Sequence, residues 1–180
     1  MRPSHDQIYE RARCYDIDFG FRDVAAECDA LVALATQYLG RAPSSVLELA
    51  SGPARHACEF ARRGLAATAF EAVPAMLDYA SALAAREGVS LAVACADMVD
   101  FTLPTRFDLV VLLMDSSSYL LDNNAFCGIS PASPRIWCRA VLRDGDVVPP
   151  GRVWRRRFEQ HALDVRGRRL ERDDALGPGG

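Results

Sequence analysis

A chain of 180 residues has room for one ordinary domain with a real core, and its length demands no second one. Half of the residues are hydrophobic and a quarter are charged, which excludes a disordered or fibrous chain, and no stretch reaches the roughly eighteen apolar residues of a membrane span. The net charge of −3 conceals an uneven split, because residues 1–126 carry ten Arg against seventeen acids and residues 127–180 eleven Arg against seven.

The opening "MRPSHDQIYERARCYDIDFG" is charged throughout and lacks the apolar core of an export signal, so a cytoplasmic location is expected. Cys14, Cys28, Cys58, Cys95, Cys127 and Cys138 form no CxxC pair and have no His at zinc spacing. Reduced thiols are therefore expected, with neither a disulfide framework nor a metal site, and Cys95 is placed in the core. Lys is absent, which points to a GC-rich coding sequence more than to a function.

In residues 23–39, Val24, Cys28, Leu31, Leu34 and Ala35 share one helical face, with Asp23 as N-cap and Gly40 as the stop. "SVLELA" (45–50) is short, apolar and bounded by Pro43 and Gly52, as a buried strand should be. A helix is expected over 54–63, a second strand over 65–71, and a second helix over 74–87 with Pro74 at its first position. Residues 89–95 and 107–113 supply two more strands. Strands this continuously apolar, alternating with helices over short connections, imply a parallel sheet covered on both faces. The expected fold is α/β, a doubly wound, mostly parallel sheet over residues 1–126 with a helical cap over about residues 5–40.

In such a sheet ligands sit beyond the carboxyl ends of the strands. Strand one ends in Glu48-Leu49-Ala50-Ser51-Gly52-Pro53-Ala54, strand two in Glu71, strand three in Ala96-Asp97-Met98 and strand four in Asp115-Ser116-Ser117. Glu71 follows Glu48 by 23 residues, the spacing at which an acid meets a ribose diol in nucleotide-binding βαβ units. Each residue alone has an ordinary reading as a loop acid, a cap or a turn glycine; four in order and spacing are harder to dismiss.

These segments resemble the class I S-adenosylmethionine-dependent methyltransferases. "ELASGPARHA" is similar to that family's acid-x-Gly-x-Gly-x-Gly motif with Ala at the first and third Gly. The resemblance implies that Glu48 holds the cofactor's amino-acid end and helps to fix the loop, with the backbone at Ala50 and Gly52 against the methionine moiety. "FEAVPAMLDYA" resembles the second motif, which gives Glu71 the ribose hydroxyls, and "CADMVDF" the third, which gives Asp97 the adenine amino group and Met98 the ring face. In "LLMDSSSYL", Asp115 would face the methyl-transfer site, either as a substrate contact or as a loop cap. "YDIDFGFRD" looks like the family's leading helix-loop, with Tyr15 closing over the cofactor carboxylate. The implied cofactor is S-adenosylmethionine and the implied partner a small-molecule methyl acceptor. No catalytic base is assigned, and His56 is expected at the surface in a helix's first turn. A dinucleotide dehydrogenase is the nearest competitor, but it expects G-x-G-x-x-G, and "ASGPAR" has no third Gly.

The resemblance ends near residue 126. The segment 127–180 is rich in Arg, Gly and Pro, and only "IWCRAVL" and "RRFEQHALDV" carry an element-like pattern. Reading Asp146–Phe158 one base later, with suitable synonymous codons, permits a segment similar to the one that follows strand five in relatives. The tail is therefore expected to be a frameshift product rather than a phosphate-binding arm that takes nucleic acid; the alternative readings are a cofactor-binding remnant without turnover and a nucleic-acid-binding module using the basic tail. The fold would then be incomplete after strand four, with residues 127–180 poorly ordered and a sheet edge left unpaired.

Overall fold

The alternation of apolar runs with capped helices becomes a sheet because the central strands are apolar on both faces and must be covered twice. The computed structural model describes residues 11–98, 101, 106–114, 116–119, 137–143 and 146–148. Helix α1 (Ala12–Asp18) and helix α2 (Val24–Leu39) precede strand β1 (Ser45–Leu49). Helix α3 (Arg55–Arg62), β2 (Ala66–Glu71), α4 (Pro74–Glu87), β3 (Leu91–Cys95) and β4 (Arg106–Leu112) follow. Asp23 caps α2 by accepting from the Ala26 amide at 3.0 Å, and Gly40 ends it in the left-handed conformation.

β1 lies between β2 and β4, with β3 outside β2, all parallel. One face of the sheet packs Val46, Ala67, Ala69, Leu109 and Val111 against Cys28, Leu31 and Ala35 of α2, Ala57 and Phe60 of α3 and Ala80 of α4. The other face joins Leu47, Leu49, Phe70, Val110 and Leu112 to Phe101 and Phe107, with the Phe70 and Phe101 rings 4.5 Å apart. Neighbouring residues of β1 and β4 thus serve opposite layers, as the period of two requires.

The sheet does not stop at strand four. β5 (Trp137–Arg143) pairs parallel with β4, and β6 (Asp146–Val148) pairs antiparallel with β5, which overturns the expectation of a missing fifth strand. Two causes stand out. β4 is apolar from Leu109 to Leu112 and its open edge favours pairing, and the Asp144-Gly145 dipeptide between Arg143 and Asp146 is a strong hairpin signal. The rest of 127–180, with the order expected of it, lies outside the described residues, as do residues 1–10 of the N-terminal cap. Among the described residues no helix is long and apolar enough to cross a membrane.

At the end of the sheet remote from the strand carboxyl ends, Asp108 ties β4 to the start of β1. Its carboxylate accepts from Arg41 Nη1 (3.0 Å) and Nη2 (2.6 Å) and from the amide (2.8 Å) and hydroxyl (2.7 Å) of Ser44. The Arg41 hydrogen bonds, aided by those of Ser44, hold the Asp108 carboxyl well below the usual carboxylate range despite its burial. A depressed folded value stabilises the fold above the unfolded carboxyl pKa of about 4 and is lost as pH falls through the folded value. Asp108→Asn should lower stability at neutral pH by about 1–3 kcal/mol and flatten the acid limb, measured by urea unfolding across pH.

Candidate functional site

The crevice forms where the strand order reverses, between the carboxyl ends of β1 and β4. The chain leaving β1 must turn at once into α3, and it does so through three left-handed residues, Ala50 (φ 49°), Gly52 (φ 52°) and Ala54 (φ 58°). Only glycine adopts this conformation freely; each Ala costs about 1–2 kcal/mol there. Ala50 and Ala54 are the positions at which the motif ordinarily has Gly, so the departures leave the turn's shape intact at the expense of strain. Backbone bonds hold it: the Ser51 amide donates to the Phe70 carbonyl (3.1 Å) and the Ala54 amide to the Ser51 carbonyl (2.8 Å).

Two carboxylates complete the junction. Glu71, at the end of β2, accepts from the Gly52 amide at 2.9 Å and from the Ala72 and Val73 amides at 2.8 and 3.1 Å. Glu48 is 4% exposed, and its Oε2 accepts the Ala57 amide at 2.8 Å, which satisfies a donor of the first turn of α3. Its Oε1 lies 3.4 Å from His56 Nδ1, while His56 Nε2 is 2.7 Å from Glu27 on α2. His56 is therefore buried (6% exposed), not at the surface as expected. The reason is long-range: its partners are 8 and 29 positions away, and no local periodicity signals them.

The cap closes over this turn. Tyr15 Cε1 would lie 3.6 Å from a Cβ at Gly52, so the ring rests on the glycine, and it stacks on Phe19 with centroids 4.5 Å apart. Burial, then Tyr119 and Glu71, push the Tyr15 phenol up, keeping it protonated at neutral pH. Asp16 anchors α1: it is paired with Arg55 at the start of α3 and accepts from Tyr79 of α4 at 2.6 Å. Burial raises its pKa, but the Arg55 and Tyr79 hydrogen bonds outweigh that and hold it low.

Together these residues line an open cleft. Tyr15, Glu48, Ala50 and Gly52 line it, joined by Arg22, Leu113 and Met114. Glu71 stands behind Gly52 and is not in the lining. Met98 packs, half-buried, beside Leu49, Phe70 and Phe101, whereas Asp97 is exposed at the end of β3; Asp115 lies outside the described residues. Cys95 is exposed rather than in the core, because β3 is an edge strand with much of its length uncovered. Asp16, Arg22, Glu27 and Arg55 were not anticipated; the one signal for Asp16 was its place beside Tyr15. Two polar atoms of the lining residues, Arg22 Nη1 and Ser51 Oγ, are buried without a hydrogen-bond partner. A ligand with an anionic or polar end would satisfy them.

Residues 46–127 match the family model described as "Methyltransferase domain". No curated protein sequence is detectably similar to the chain. Among solved structures, a S-adenosylmethionine-dependent methyltransferase from Clostridium acetobutylicum is similar at 20% identity and TM-score 0.58, over 69% of this chain and 51% of its own. DesVI from Streptomyces venezuelae is similar at 26% identity and TM-score 0.54, over 63% and 47%. The sugar N-methyltransferase KedS8 from Streptoalloteichus is similar at 29% identity and TM-score 0.54, over 63% and 44%. The chain thus spans about half the length of these structures.

The strained turn yields a direct prediction. Ala50→Gly relieves the left-handed penalty of about 1–2 kcal/mol and forfeits about 0.5–1 kcal/mol of backbone entropy, so it should stabilise the chain slightly. Ala80→Gly, in the middle of α4, should destabilise it by about 1 kcal/mol or more. Chemical denaturation of the two variants reads the difference.

Proposed function

We propose that this chain, whose residues 46–127 match the methyltransferase-domain model and whose sheet has the order of class I S-adenosylmethionine-dependent methyltransferases, binds S-adenosylmethionine across the β1–β4 crevice and methylates a small-molecule acceptor. The observation that carries the reading is the unit built by Glu71 and Gly52: an acid at the end of β2 holds the backbone of the turn at the end of β1. The chemistry of the cleft fits the cofactor. It offers an unpartnered guanidinium nitrogen and an unpartnered hydroxyl, but no third glycine of the kind a pyrophosphate-binding turn uses.

The cofactor supplies an electrophilic methyl group on a sulfonium. The chain's residues bind, orient and exclude water. Glu71 keeps lone pairs beyond those used by the amides and accepts from the ribose hydroxyls. Arg22 Nη1 and Ser51 Oγ take the amino-acid end, and Glu48 holds the turn from below. Asp97 receives the adenine amino group, while Met98 covers the ring. Tyr15 and Phe19 shut water out at the cap side, and Met114, just after β4, borders the acceptor's approach. Methyl transfer to an uncharged nucleophile needs mainly alignment, so no general base is assigned. KedS8 is a sugar N-methyltransferase, which supports a small-molecule acceptor for the similar cleft here.

Calorimetric titration with S-adenosylmethionine and S-adenosylhomocysteine, with NAD as control, tests the reading. Both sulfur ligands should bind and NAD should not. Glu71→Ala removes two charge-assisted hydrogen bonds and should weaken both by about 100-fold or more. Binding unchanged in that variant, or preference for NAD, would contradict it.

A further inference from the structure

Beneath the cleft a chain of charged side chains runs from the cap to the sheet. Arg22, between α1 and α2, donates from Nε (2.9 Å) and Nη2 (2.5 Å) to the two oxygens of Glu27. Glu27 meets His56 Nε2 at 2.7 Å, His56 Nδ1 lies 3.4 Å from Glu48, and Glu48 accepts the Ala57 amide at 2.8 Å. The chain begins at Arg22 Nη1, the buried atom without a partner. Both ring nitrogens of His56 therefore face carboxylate oxygens. A neutral imidazole has one N–H, so its remaining lone pair would oppose a carboxylate; a doubly protonated ring donates to both. Charge leads to the same state, since two carboxylates and one guanidinium balance only if His56 is positive.

We propose that His56 is a positioning residue: its imidazolium bridges Glu27 and Glu48, fixes Glu27, and thereby aims Arg22 Nη1 at the anionic end of the cofactor. Cofactor affinity then falls as His56 loses its proton. The inference rests on the cofactor reading above, which supplies the anion. Burial favours the neutral ring, but the hydrogen bond and charge of Glu48, then the hydrogen bond of Glu27, outweigh it against the opposition of Arg22, and the net direction is upward. A raised folded value means that the bridge is complete below the ordinary imidazole pKa of about 6.5 and is lost as pH rises through the folded value.

The groups facing His56 are Glu27 from α2, Glu48 from β1 and Arg22 from the turn before α2. Arg55, on its own helix, is paired with Asp16 of α1. Cys28 of α2 donates its S–H to the His56 carbonyl at 3.9 Å, and burial pushes that thiol up to about 12, so it does not titrate in the same range.

The test follows the ring and the affinity separately. Imidazole nitrogen NMR on the ligand-free full chain, with His56→Gln to assign the signal, should show His56 losing its second proton above the ordinary imidazole pKa of about 6.5. S-adenosylhomocysteine affinity, measured between about pH 6 and pH 9, should fall about tenfold as His56 titrates. In His56→Gln it should be weak throughout, with only the ligand's own amino group left to titrate. Glu27→Gln, which keeps a polar group against Arg22, should move both the ring titration and the affinity change to lower pH together; it carries the test if His56→Gln does not fold. A His56 titration at or below the ordinary imidazole value, a flat wild-type affinity while His56 titrates, or the same pH profile in His56→Gln would each overturn the proposal. A wild type that binds no S-adenosylhomocysteine at any pH, with His56 charged, overturns the cofactor reading and the coupling with it.

Discussion

The turn between β1 and α3 holds three consecutive alternate residues in the left-handed region, and it persists because two carboxylates grip the backbone on either side of it. Glu71 takes the Gly52 amide from the side of β2, and Glu48 takes the Ala57 amide from beneath α3. The first of these depends on the parallel register that sets Leu49 beside Phe70 and puts the ends of β1 and β2 level. The hydrophobic layers of the sheet thus determine where the acids stand, and the acids determine the shape of the turn. The site in turn depends on that shape, since it brings backbone rather than side chain to the crevice.

Burying this many charges is unfavourable unless each is paired. The structure pairs them in two chains that cross from cap to core: Asp16 with Arg55 and Tyr79, and Arg22 through Glu27 and His56 to Glu48. Both involve α3, so the start of one helix serves as the anchor for the whole cap. Helices α1 and α2 are consequently attached to the sheet by polar links near the cleft and by apolar packing of Cys28, Leu31 and Ala35 away from it.

Much of this was legible in the sequence where the signal is local. Asp23 and Gly40 bracket α2 as their chemistry demands, Pro74 opens α4, and the apolar runs are the strands. The order of acids at the strand ends pointed to the crevice, because a doubly wound sheet leaves one place for them. What escaped was set by tertiary partners. His56 on a short polar helix looked exposed until Glu27 and Glu48 were brought to it, and Cys95 looked buried until β3 proved to be an edge. The strand at Trp137–Arg143 was obscured by its Arg residues, although the Asp144-Gly145 dipeptide beyond it was a readable hairpin signal. At Ala50 and Ala54, the substitution of Ala for Gly concealed a conformation that the backbone nevertheless keeps.

The central claim is that one ligand engages the β1–α3 turn, the end of β2 and the cap together. Hydrogen–deuterium exchange with and without S-adenosylhomocysteine addresses it most directly. The account predicts that the ligand slows exchange jointly in residues 50–57, 71–73 and 12–22, while the Asp108 end of the sheet, at 41–45 and 106–109, is unchanged. Slowed exchange that bypasses residues 50–57, or that falls on the Asp108 end instead, would contradict it.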